Sequence, residues 1–482
     1  MLTELTGTSL TKKQYDFCIL GTGPAGITLA LNLANKGANV LLLEGGGLDY
    51  SQQSQQLYEC KAITHNPWPM YSRLRYFGGT SNHWAGRCRP FEESDFIADS
   101  VNGLPGWPIS FKEVNHYLGD AMDILDLDSV KGFTPINRPL LHKYFKPDAF
   151  ASSPPTRFKS KYIDTISNHE NIDCYYHANA IDLVLDNASQ AISQVKVTNF
   201  NDVKTNFTAD TFICCLGGIE NARFLLNCNQ QIPAGLGNSS DMVGRCFMEH
   251  LNVQLGEFYF DNPDDVSQLQ FFSTSEFAND FQLGRSNIAF KIVEGLKSYG
   301  RTKAIKNFFK NLSCQLGISD NVQFISDFTC PGTGKISTLM EQSPNRNSRI
   351  TLGEETDQLG MQKAVIDWQL NERDMQTIRT TAIELAKQFT EAELGSIRLS
   401  SFILDYSEEV IFSHHSHHMG TTRMSSNSRH GVVDENLKVH DLENLYIAGS
   451  SVFPTGGVGN PTMPLVQLSL RLSDHLSGST SL

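Results

Sequence analysis

Residues 16–44, DFCILGTGPAGITLALNLANKGANVLLLE, pass from an apolar run through a glycine turn into an apolar-rich helix, and then into a second apolar run that closes on Glu44. Gly21, Gly23 and Gly26 stand at the GxGxxG spacing. The first permits a tight turn, the second lets backbone approach a pyrophosphate, and the third lets the helix pack closely on the strand. Pro24 and Ala25 lie where the helix opens, with free N–H groups and the positive dipole end offered to phosphates. Glu44 is placed to accept hydrogen bonds from ribose hydroxyls. A carboxylate there disfavours a 2′-phosphate, so NADP suits the segment least, while NAD and FAD stay open. The stretch predicts a Rossmann-type nucleotide-binding domain in an α/β chain.

At 482 residues the chain is long enough for two domains or one elaborated domain. A formal charge of −13 argues against a nucleic-acid binder, whose footprint would be a dense basic patch. Ten cysteines occur without a CxxC, and Cys214 and Cys215 fall in the apolar run TFICCLGG, so neither a zinc site nor a disulfide framework is expected. The N-terminus has no basic region followed by an apolar core, and no apolar stretch is long enough to span a bilayer, which makes the reducing cytoplasm the expected location. Residues 295–312, GLKSYGRTKAIKNFFKNL, hold five basic residues and no acid, with Ile305, Phe308, Phe309 and Leu312 at helical spacing. A surface helix packing on the body is the first reading, and docking to a membrane or an acidic partner is the second.

Two further stretches carry chemistry. Residues 71–96, YSRLRYFGGTSNHWAGRCRPFEESDF, place Gly78, Gly79, Ser81, Asn82 and His83 in a loop flanked by arginines, where bare glycines let amides approach a planar ring or a phosphate. The C-terminal strings SHHSHHMGTTRM (413–424) and NLYIAGSSVFPTGGVGNPT (444–462) bring a histidine cluster together with Gly449, Ser450, Asn460, Pro461 and Thr462. A histidine beside a neutral hydrogen-bond donor is what an enzyme needs to take a proton from an alcohol and hold the alkoxide. HHSHH invites a metal, yet no carboxylate or cysteine stands at ligand spacing, so no metal site is expected. Asn460 has a rival role, because NPTMPLVQLSLRLSDHL reads as a helix with Asn460 at the N-cap and Pro461 at N1.

In GTGPAGITLA, RYFGGTSNHWAGRCRPF, ICCLGGIENARFLL, VGRCFMEH and the block from His417 to Leu476, the sequence resembles the glucose-methanol-choline (GMC) flavin oxidoreductases, and most closely their bacterial sugar-oxidising and pyranose-oxidase-like branch. The resemblance implies a tightly held FAD, a glutathione-reductase-like FAD domain and a separate substrate domain. It also singles out His417, three residues before Gly420 of the Gly420–Thr421 pair, as the catalytic histidine, and it puts the second catalytic position on Asn460. GGTSNHW is similar to the pyranose-oxidase loop whose histidine is bonded to the flavin 8α carbon. Here Ala85 and Gly86 follow Trp84 where those enzymes have threonine and cysteine, so a noncovalent flavin-wall role for His83 is favoured over a covalent bond.

The expected organisation is α/β, α+β overall. A discontinuous FAD domain covers 1–95, 165–250 and 415–482, and a substrate domain of antiparallel sheet and helices covers 96–164 and 251–414. Within the latter, SRITL (348–352) and AVIDWQL (364–370) read as strands of its sheet and ERDMQTIRTTAIELAKQF as a helix. The leading function is oxidation of a CH–OH group on a sugar, glycoside or polyol, with oxygen or another carrier taking the electrons. A hydrophobic or natural-product alcohol, a redox-neutral lyase on the same scaffold, and a flavin-binding subunit without catalysis are the alternatives.

Overall fold

A computed structural model describes residues 1–6, 13–96, 100–127, 143–186, 188, 190–260, 270–292 and 333–478. The basic stretch 295–312 lies outside the described residues.

The glycine segment folds as its pattern predicts. The strands Phe17–Leu20 and Val40–Leu43 flank helix α1 (Pro24–Asn35), and all eight strand residues are buried. Such unbroken apolar runs suit a parallel sheet covered on both faces. Six strands build that sheet, all parallel, in the order Leu2–Glu4, Ile172–Tyr176, Val40–Leu43, Phe17–Leu20, Thr211–Cys214, Leu445–Ile447. The sheet thus draws on the beginning, middle and end of the chain. Helix α2 (Gly217–Asn227) follows Thr211–Cys214 directly.

A second core, separate from the first, lies under a seven-stranded sheet of Gly395–Leu399, Leu251–Phe260, Thr333–Met340, Ser286–Ile292, Gln270–Ser273 and Phe145–Pro147, with Phe412–His414 paired to Leu251–Phe260. Every pairing in it is antiparallel. Helix α3 (Glu372–Glu391) opens on a capping box, in which the Asn371 side chain accepts from the Asp374 N–H and the Asp374 carboxylate accepts from the Asn371 N–H. Its buried Ile378, Leu385 and Phe389 belong to this second core.

One expectation needs correction. The strands around SRITL and AVIDWQL form as Arg349–Thr356 and Gln362–Asp367, but they do not join the large sheet. They pair with each other and, in parallel, with Cys60–Ala62, making a separate three-stranded sheet. Alternation shows that a segment is a strand. It does not show which edge will receive it, and here the partner is some 300 residues away in sequence.

Candidate active site

A cavity of about 780 Å³ runs from the carboxyl end of the parallel sheet to the face of the antiparallel one. It falls in the size range of small-molecule and cofactor sites. Gly21, Gly23, Pro24, Ala25, Glu44, Gly79, Ser81, His83, His417, Gly449, Ser450, Asn460, Pro461 and Thr462 all line it. Gly26, Gly78 and Asn82 do not. A Cβ on Gly26 would stand 1.9 Å from the Gly21 carbonyl oxygen, so this glycine serves helix packing. Asn82 donates to the Phe77 carbonyl at 2.9 Å and helps shape the turn around Gly78, which has φ +93°.

The cofactor end fits a dinucleotide. Helix α1 starts at the cavity with Pro24 and has no side-chain cap, leaving its first N–H groups free for phosphate. A Cβ on Gly23 would meet no protein atom within 4 Å, so the bare face of that residue is open to a ligand. The Glu44 carboxylate is held in place: Thr22 donates through Oγ1 at 2.5 Å and Gly46 through its N–H at 2.7 Å. The remaining lone pairs of that carboxylate are those a ribose hydroxyl would meet.

The histidine cluster is more differentiated than the string suggests. His418 is buried against Phe247 and near the Glu249 carboxylate, and burial holds its pKa down to about 3. His415 donates from Nε2 to the Thr338 carbonyl at 3.0 Å. His414 lies farther out, in ring contact with the exposed Trp68. Of these four, His417 is the one hydrogen-bonded to another imidazole: its Nδ1 is 2.8 Å from Nδ1 of His250. The fully buried His250 contacts the Gly457 carbonyl through Nε2 at 2.9 Å. A carbonyl can only accept, so His250 carries its proton on Nε2 and its Nδ1 must accept. The proton between the rings therefore sits on His417 Nδ1, and His417 Nε2 keeps a free lone pair. Burial, followed by the neighbouring histidines, holds the His417 pKa well below the ordinary histidine value.

Asn460 lies across the same cavity. Helix α4 (Thr462–Leu476) takes Pro461, not Asn460, as its N-cap, and no side-chain cap hydrogen bond is formed there. The expected capping register is thus one residue off. Among the described residues no hydrogen bond engages the Asn460 amide, which leaves its N–H groups available to a ligand. The His83 ring also looks into the cavity, with its pKa lowered chiefly by burial. Among the described residues no group of three or more potential ligands is placed to hold a metal ion.

Sequence reasoning gave no role to Glu249 and His250, although VGRCFMEH contains both. The adjacent acid and base, each 0% exposed, follow the apolar Cys246, Phe247 and Met248, and such a pair closing an apolar run is the available signal. Glu249 accepts the His415 backbone N–H at 3.2 Å and so ties down the histidine loop, and burial drives its pKa well up. The loop turns at Ser416, which has φ +64°.

Residues 344–469 match the family model described as GMC oxidoreductase. The chain is 22% identical to 2-methyl-1,2-propanediol dehydrogenase of Mycolicibacterium austroafricanum over 96% of this chain and 95% of that protein. It is 26% identical to the fructose dehydrogenase large subunit of Gluconobacter japonicus over 56% of this chain, a match that takes in 47% of that protein. The crystal structure of pyridoxine 4-oxidase from Mesorbium loti shares the fold, with a TM-score of 0.60 at 15% identity over 96% of this chain and 99% of that one. Among the described residues no helix is long and apolar enough to cross a membrane.

Proposed function

We propose that the chain acts as a GMC oxidoreductase, whose family model it matches over residues 344–469, and that it oxidises a CH–OH group of a sugar, glycoside or polyol to a carbonyl. The observation that carries the reading is the free Nε2 of His417, in one cavity with the unengaged amide of Asn460. The neutral His417 ring accepts the substrate hydroxyl proton at Nε2. The Asn460 amide donates a hydrogen bond to the developing alkoxide without becoming charged. His250 and Gly457 keep the proton on His417 Nδ1, so that the accepting nitrogen faces the substrate. Gly21, Gly23, Pro24, Ala25 and Glu44 hold the pyrophosphate and ribose of FAD, with Gly79, Gly449, Ser450, Pro461 and Thr462 along its length. When bound, FAD supplies the two-electron acceptor for the hydride.

His83 forms part of the flavin wall without a covalent bond. Acid precipitation of the holoprotein should leave the yellow colour in the supernatant; colour retained in the pellet would mean the covalent alternative. Oxygen or another carrier removes the electrons. The eight described cysteines are all free thiols, which supports a location in the reducing cytoplasm.

Anaerobic mixing of the holoprotein with a panel of sugars, polyols and other alcohols, followed by flavin absorbance, tests the reading. Bleaching by at least one sugar or polyol is expected. Turnover of a cyanohydrin without bleaching would replace oxidation by a lyase reaction, and silence across the whole panel would defeat the proposal.

A further inference from the structure

The sheet face that looks into the cavity carries charge at one end. Along Ser286–Ile292, Ile288 and Phe290 enter the core while Asn287, Ala289 and Lys291 line the cavity, as a two-residue repeat requires. The register sets Leu339 opposite Asn287, Ser337 opposite Ala289 and Lys335 opposite Lys291. Lys335 also faces Glu257, and Glu257 faces Arg398, with which it forms an ion pair. This row across four strands therefore holds three cations and one carboxylate, and Arg398 already engages that carboxylate. Like charges directly opposite across an antiparallel pair are destabilising unless something compensates them.

Arg87 adds a further cation. It opens the short strand Arg87–Cys88, lines the same cavity, and is exposed to it. Burial chiefly lowers the pKa of His415, next but one to His417, and Lys291 and Arg87 lie close enough for their charge to lower it further. Among the described residues neither Arg87 nor Lys291 has an ion pair or side-chain hydrogen bond. The described carboxylates lining the cavity are committed elsewhere. Glu44 is held by Thr22 and Gly46, Glu220 by Arg73 and Arg223, and Asp357 by Arg223. Nor are these cations needed for a dinucleotide pyrophosphate, whose place is the N-terminus of α1.

We propose that Arg87 and Lys291 form an anion subsite, and that the substrate is an alcohol bearing a carboxylate or phosphate away from the carbon that is oxidised. A sugar acid, a hydroxy acid or a phosphorylated polyol fits this description. Arg87 offers a planar fork to such an anion and Lys291 a point charge. A cationic alcohol such as choline would meet two like charges. The inference rests on the reading of this cavity as an alcohol-oxidising site and names the substrate class for it.

Matched pairs test it on the FAD-loaded enzyme under anaerobic conditions: glucitol against gluconate, glycerol against glycerate, and glycerol against glycerol phosphate. The anionic member should bleach the flavin with a second-order rate constant higher by about tenfold or more, the scale of a charge-assisted contact in a confined site. That preference should shrink towards unity in Arg87→Gln and Lys291→Gln and with added salt. The carboxylate and phosphate arms identify which anion is taken. Neutral members bleaching as fast as their anionic partners would overturn the proposal. Silence from every pair would count against alcohol oxidation itself, and the subsite would then be judged by calorimetric titration with malonate and with inorganic phosphate. Saturable binding weakened by Lys291→Gln sustains it, and no binding ends it.

Discussion

The Nδ1 atoms of His250 and His417 stand 2.8 Å apart, and only one of the two carries the proton. The Gly457 carbonyl, 2.9 Å from His250 Nε2, decides which one, since it fixes the tautomer of the first ring and through it that of the second. His250→Ala should therefore lower kcat by roughly 10- to 100-fold, the scale for losing a partner that orients a functional histidine. FAD content should stay normal. A positioning role also requires that the pH profile change, because the freed His417 ring can adopt either tautomer. Unaltered kcat together with an unaltered profile would remove His250 from the mechanism.

The acid side of the rate profile should be set by a group far from ordinary histidine behaviour. Burial and its histidine neighbours hold His417 well below 6.5, so the ring is already neutral, and able to accept a proton, at pH 6.5 and above. Protonation removes the base, so activity is lost as pH falls through the lowered pKa. Flavin bleaching rates under anaerobic conditions should form a plateau that extends below pH 6.5. A half-maximal point at 6.5 or higher would contradict this assignment of His417.

Two neighbouring glycines should fail in different ways. A methyl group on Gly26 would lie 1.9 Å from the Gly21 carbonyl oxygen, whereas one on Gly23 would meet no protein atom within 4 Å. Gly26→Ala should cost about 1–3 kcal/mol of stability, as overpacking does, and lower flavin content. Gly23→Ala should leave the apoprotein's denaturation midpoint unchanged and still reduce flavin content. Denaturant titration with flavin stoichiometry separates the two, and full flavin occupancy in Gly23→Ala would place the pyrophosphate elsewhere.

Arg285 is buried between two acids, with Nη1 2.6 Å from Glu92 and Nη2 2.5 Å from Asp95. Glu341 lies close by and accepts the Gly457 N–H at 3.0 Å. Arg285→Met would leave the buried Asp95 without its cation, while Glu92 keeps Arg89 and Lys146, and should cost about 3–5 kcal/mol. Because Glu341 also holds Gly457, the same variant should lower activity at denaturant concentrations where it is still folded. A change in stability below 1 kcal/mol would mean that water reaches the cluster.

The dinucleotide end was legible because its information is local. Gly21, Gly23 and Gly26 work through backbone conformation and close approach within a few residues, and the apolar runs on either side state that both faces of the sheet are covered. Helix α3 was equally readable, since Asn371 and Asp374 cap it from within its own first turn. The histidine loop was only partly so. The family resemblance, through the position three residues before Gly420, implied His417, but nothing in SHHSHH says which neighbour shares its proton. SRITL and AVIDWQL carry the period of strands but not the identity of their sheet, because the edge formed by Cys60–Ala62 is not encoded near them.

By itself, then, the sequence determined the elements whose causes are short-range: the glycine turn, the strand and helix periods, and the residue types suited to proton transfer from an alcohol. Tertiary structure alone decided that His250 orients His417 from 167 residues away, that Asn460 escapes helix capping, and that Lys291, set opposite Lys335, lines one cavity with Arg87. The reason is physical. Tautomer, lowered pKa and unpaired charge depend on burial and on partners within a few ångströms, and only the folded chain brings those partners together.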